Sequence, residues 1–87
     1  MKKLTNFRIC GEVDTTITGK ILYLILYELA DPIGEVIIPQ KKIRDALRIS
    51  KATVSRNLRR LRDDGYISIY ARYGSEGGRM ANKYRIR

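Results

Sequence analysis

PQKKIRDALRISKATVSRNLRRLRDDGYI, residues 39–67, is the stretch whose reading decides the fold. It contains two helical runs joined by a tight step. Lys42 to Leu47 can form a brief helix that turns Ile43, Ala46 and Leu47 inward. The Ile49-Ser50 step opens a second, longer helix, with Ser50 as its N-cap because a hydroxyl oxygen accepts from the unpaired first-turn amides. Val54, Leu58 and Leu61 then fall within roughly 60° of arc, so one narrow stripe docks on a core. Gly65 is the expected left-handed terminator. Asp63 and Asp64 sit before it, where carboxylates oppose the helix dipole.

Upstream, Ile17, Ile21, Leu24, Ile25 and Leu29 recur at three- and four-residue steps, which predicts a helix apolar over much of its girth. Thr16 or Thr18 supplies its N-cap, and Pro32 and Gly34 stop it near Ala30. Tyr23 and Tyr27, one turn apart, read as a partly buried core pair rather than a binding stripe. The β-branched run Glu35-Val36-Ile37-Ile38-Pro39 suits a short strand closed by proline. Residues 1–15 show no clear period and read as an extended arm or short strand. Downstream, the period changes to two. Ile67, Ile69, Ala71 and Tyr73 alternate with Tyr66, Ser68, Tyr70 and Arg72, and after the loop Gly74-Ser75-Glu76-Gly77-Gly78 a second strand puts Met80, Tyr84 and Ile86 on one face. Two alternating strands about a Gly-rich loop predict a hairpin over 66–87.

The composition limits what such a chain can do. At 87 residues it has room for a single core, and 44% apolar residues place it among folded chains. With no His and a lone Cys10, the commonest general base is missing and no zinc cluster or internal disulfide can form. The expectation is a non-enzyme without cofactor or metal, and Cys10 reads as a small apolar side chain. The N-terminus lacks the about 7 to 15 apolar residues of a signal peptide, and Ile21 to Ala30 is about half the length of a membrane span, so a cytoplasmic chain is expected. The formal charge of +9 calls for an anionic partner, nucleic acid before a membrane surface.

The order helix, short strand, helix, helix, hairpin, with the phrase Ser-x-x-Thr-Val-Ser-Arg-x-Leu-x-x-Leu at 50–61 followed by Asp-Gly-Tyr-Ile, resembles the winged helix-turn-helix domain of prokaryotic, viral and plasmid regulators and replication proteins. The resemblance implies an α+β fold of three helices, a short strand and a C-terminal β-hairpin wing. The whole chain, 1–87, would be one domain, with an arm at 1–15, the helix-turn-helix at 40–64 and the wing at 66–87. Such regulators often carry Ala where Arg44 stands and Gly where Arg48 stands. A long side chain at 44 implies either a more open helix crossing or a packed stem with its head in solvent. Many also dimerise through a long helix after the hairpin. None follows here, and a homodimer is one open arrangement.

Charge is sorted along the chain: residues 1–15 carry +1, 16–35 carry −2, 36–65 carry +6 and 66–87 carry +4. Duplex DNA is a dense anion that releases counterions when cations neutralise its phosphates, so this sorting is the strongest functional signal. With Val54, Leu58 and Leu61 inward, Ala52, Arg56 and Arg59 point outward, and Thr53, Ser55, Arg60 and Arg62 lie on the flanks. An arginine fork can pair with guanine O6 and N7, while a small Ala or a Thr methyl can meet a thymine methyl, so Arg56 is the leading base reader. Lys41, Lys42, Ser50 and Lys51 suit phosphate oxygens near helix starts. By the resemblance, the wing tip would lie along the minor groove or backbone with Arg79 as its cation, extended by Lys83 and Arg85.

Blander readings stand beside these. An arginine run is ordinarily a solvated helix face, and a glycine-rich tip is often only a turn. Gly74-x-x-Gly77-Gly78 precedes a strand and lacks the helix that a nucleotide loop needs. The first expectation is sequence-specific binding of double-stranded DNA by a transcription regulator. Alternatives are the origin-binding domain of a replication initiator, or a docking module that meets a protein partner through the first helix or the N-terminal arm. RNA binding ranks below these, since the basic helix carries few aromatic platforms.

Overall fold

The computed structural model describes residues 12–87. Most of the expected arm, and Cys10, lie outside them. Six elements follow: α1 (Ile17–Leu29), β1 (Glu35–Ile37), α2 (Gln40–Leu47), α3 (Lys51–Asp63), β2 (Ile67–Tyr73) and β3 (Arg79–Ile86). The strands form one antiparallel sheet in the order β1-β3-β2, with Val36 and Ile69 both opposite Tyr84 on the central strand. This is the α+β winged-helix architecture expected from the sequence.

Each helix starts where its capping chemistry puts it. Thr16 Oγ1 accepts from the Gly19 amide at 3.0 Å, and Ser50 Oγ accepts from the Thr53 amide at 3.1 Å. α2 begins at Gln40, two residues before the expected Lys42, because Pro39 pre-sets an extended entry and has no amide to lose. It ends on Arg48, which takes the left-handed conformation (φ 55°, ψ 45°) and donates its amide to Arg44 O. After α3, Gly65 turns the chain at φ 85° into β2, where no side chain would sit easily.

Leu22 and Leu26 from α1, Ile43 from α2, Val54, Leu58 and Leu61 from α3, and Ile67 and Tyr84 from the sheet are buried together, with Val13 and Tyr23 completing the cluster. Tyr23 stacks on Tyr27 at 6.4 Å between ring centroids and meets Tyr66 edge-on at 6.2 Å. Only Tyr23 of the expected pair is core, for Tyr27 is exposed. The Tyr66 hydroxyl accepts from the Asp14 amide at 2.9 Å and so ties the entry of α1 to the start of the sheet.

Several faces differ from the expectation. In α1 the buried side is Gly19, Leu22, Tyr23 and Leu26, whereas Ile17 is 78% and Ile21 42% exposed. Periodicity cannot choose an inward side on a helix that is apolar nearly all round. On the buried side Gly19 is closely covered by the preceding residues, for a Cβ there would lie 2.8 Å from Thr15 Cγ2. Ala46 is exposed, because α2 buries only Ile43 fully and Leu47 in part. Arg44 is half-buried with its Nε enclosed and without a hydrogen-bond partner among the described residues, so its stem packs but the head is not wholly in water. Met80 is exposed because the strand register shifts between Tyr70 and Arg72, which breaks the alternation Met80 shared with Tyr84 and Ile86. Ala71 and Tyr73 are exposed as well, on the half of the hairpin that extends beyond the core.

Candidate nucleic-acid interface

α3 carries the densest run of cations in the chain and presents them because its apolar stripe is spent on the core. The side opposite Val54, Leu58 and Leu61 forms an open groove of about 660 Å³ lined by Ala52, Arg56, Arg59, Arg60, Asp63 and Asp64. The outward trio of Ala52, Arg56 and Arg59 is therefore brought together, with Arg60 beside it. The two acidic residues hold specific arginines at the far end: Arg60 Nε lies 3.9 Å from Asp64 and Arg62 Nη2 lies 3.0 Å from Asp63. That explains carboxylates at a helix C-terminus, where the dipole alone disfavours them. Arg59 is lightly held, its Nε 3.4 Å from Ser55 O, and Arg56 has no side-chain partner among the described residues. Among the described residues, the fork at 56 is thus the one in this groove with all of its donors open.

The start of α3 is differently organised. Ser50 Oγ, besides capping the Thr53 amide, lies 2.8 Å from Thr53 Oγ1, so both hydroxyls are engaged locally. Lys51, first in the helix, is exposed, as are Lys41 and Lys42 in the first turn of α2, and none of the three has an ion pair among the described residues. Ser55 points sideways and donates to Gln40 Oε1 at 3.0 Å, clipping α3 to the first residue of α2. Its role is to fix the helix pair, with its donor already used.

The wing residues are separately placed. Arg79, at the start of β3, donates to Asn82 Oδ1 at 2.8 Å and lies 5.8 Å from the Tyr73 ring centroid, held flat along the strand while remaining exposed. The turn between the strands is closed by the Gly74 amide on Gly78 O at 2.7 Å. Lys83 is opposite Ile37 and Tyr70 on the sheet face away from the core, 3.6 Å from Glu35 and 5.1 Å from the Tyr70 ring centroid. Arg85 reaches the same Glu35 carboxylate at 3.9 Å. Lys83 and Arg85 are therefore not brought to the α3 groove.

Asn57 is a residue the sequence reading passed over. It is buried at 8% exposure, accepts from Thr16 Oγ1 at 2.6 Å and donates to Thr53 O at 2.8 Å. The signal was present: position 57 flanks the inward stripe, about 40° beyond Leu61, and a polar residue buried there needs a partner. Its partner is the N-cap of α1, so the bond fixes α3 against α1.

A family model described as MarR family matches residues 22–78, from within α1 through β1, α2, α3 and β2 to the wing turn. The chain belongs to the MarR family. The MarR match covers most of the sequence and spans the helix pair that presents the basic groove. Its members are winged-helix DNA-binding transcription regulators, which sets this chain with regulators rather than enzymes at the level of the family. No curated protein and no solved structure matches the chain significantly. Among the described residues no cluster of His, Cys, Asp or Glu could hold a metal, and no helix is long and apolar enough to cross a membrane.

Proposed function

We propose that this MarR-family chain binds double-stranded DNA sequence-specifically, as a cytoplasmic transcription regulator, with α3 in the major groove. The observation that carries the reading is the open groove of Ala52, Arg56 and Arg59 on a helix whose opposite side is fully committed to the core. A helix of this girth fits the major groove of B-DNA, and its outward arginines then meet base edges. Arg56 reads a guanine through its free fork, Arg59 and Arg60 flank it, and Ala52 with the Thr53 methyl offers apolar contact to thymine. Lys41, Lys42 and Lys51 neutralise phosphates on either side, joined by Ser50 at the helix start, while Ser55 serves the interface by holding α3 to α2. Arg79 contacts the backbone beside the wing, and Lys83 acts at most at its margin.

The test begins with selection of bound duplexes from a random pool. On the selected site, Arg56→Ala should weaken binding by about 1–3 kcal/mol and relax the preference at one base pair. Lys42→Ala should weaken selected and scrambled duplexes alike, because a phosphate contact carries no sequence information. An Arg56→Ala variant that keeps the full ratio between selected and scrambled duplex contradicts the assignment.

A further inference from the structure

The sheet has an outer face that the helices leave open. Val36, Ile69, Tyr84 and Ile86 pack inward on the core, and directly opposed residues of antiparallel strands share a face. Ser68, Arg85 and Glu35 therefore lie together on the other side, as do Tyr70, Lys83 and Ile37. Arg87 joins them, since its Nη1 donates to Ser68 Oγ at 3.1 Å. Ser68, Tyr70 and Arg87 also line an open groove of about 390 Å³ at the free edge of β2. Lys83 and Arg85 share the Glu35 carboxylate at 3.6 and 3.9 Å, so three cations against one anion leave two positive charges in excess on this face. The basic groove of α3 is elsewhere: the core lies between the two surfaces, because Val54, Leu58 and Leu61 of α3 bury together with Ile67 and Tyr84 of the sheet.

We infer that this outer face is a second seat for duplex DNA, sequence-independent, so that one chain bridges the segment on α3 to another whose phosphates lie on the sheet. The inference rests on the DNA-binding reading above, which supplies the first segment. Charge complementarity names the occupant: Lys83 and Arg85 stand about 7 Å apart along β3, and with the Arg87 fork and the Ser68 hydroxyl they offer donors to phosphate oxygens. Bases are not what the face receives. Lys83 Nζ lies 5.1 Å from the Tyr70 ring centroid, so that ring already carries a cation where an unstacked base would sit. The molecule measures at least 23 Å along each principal axis, more than twice the ~8 Å Debye length, so segments held on its two sides repel little. Few cations on an open face give weak binding, in the non-specific range of about 10⁻⁴ to 10⁻⁶ M.

The test immobilises a duplex bearing the selected site, loads it sparsely with the full chain, and adds a labelled duplex of scrambled sequence at about 50 mM salt. The labelled duplex should be retained only where the chain is present. Arg85→Gln combined with Arg87→Gln should cut that retention about tenfold, as the loss of two exposed ion contacts does, and make its salt slope shallower by about two. Affinity for the selected duplex should hold. Both positions are exposed, and thermal melts check that the variant folds. Retention that survives the double variant overturns the proposal, since the α3 grooves of two paired copies would then form the bridge. So does a single-stranded oligonucleotide that displaces the labelled duplex better than unlabelled duplex does. A chain that fails to bind the immobilised site overturns the α3 reading and this one with it, whereas loss of the second duplex alone overturns only the sheet face.

Discussion

Arg48 occupies a conformation that costs an L-residue with a side chain about 1–2 kcal/mol, yet it closes α2 at the turn of the helix pair. Glycine meets that geometry without strain but gains freedom when unfolded, which offsets part of the benefit. Arg48→Gly is therefore expected to stabilise the fold by about 0.5–1 kcal/mol in denaturant titration, and a loss of stability would contradict this account of the turn. Tyr23 offers a second check. Burial, with Tyr27 and Tyr66 adding to it, raises its phenol above the ordinary value of 10.0. The unfolded chain then ionises first, so this contribution to stability is complete below about pH 10 and is lost as pH rises further. Melting temperature should fall above that pH, and less steeply in Tyr23→Phe; parallel profiles would dismiss the cause.

At the scale of elements, the bond from Thr16 to Asn57 decides how α3 sits on α1. Asn57→Ala leaves the part-buried Thr16 hydroxyl without its acceptor and should cost about 0.5–1.5 kcal/mol by chemical denaturation. A near-neutral effect would mean that packing alone sets the two helices. Elements whose ends carry capping or turn chemistry were legible in the sequence: Thr16, Ser50 and Gly65 mark boundaries because each satisfies or terminates a backbone pattern. The inward side of α1 was not legible, since hydropathy is nearly uniform around it. Met80 escaped for a related reason. A one-residue register shift inside β3 depends on pairing with β2, and no local alternation records it.

Across the whole molecule, the fold separates three surfaces: a basic groove on α3, an apolar side on α1, and a sheet face where Glu35 neutralises part of the wing's charge. The groove was readable beforehand because helical period fixes which side of α3 faces out once Val54, Leu58 and Leu61 face in. Lys83 was harder, as its ion pair with Glu35 joins residues 48 apart and only the sheet order β1-β3-β2 brings them together. Binding of a labelled duplex to the chain across a series of salt concentrations tests the central claim most directly. Four or more of the unpaired cations at 41, 42, 51, 56 and 59 on phosphates predict a linear fall of log affinity with log salt, with a slope of about −3 or steeper. A slope near zero, or no binding at low salt, would contradict it.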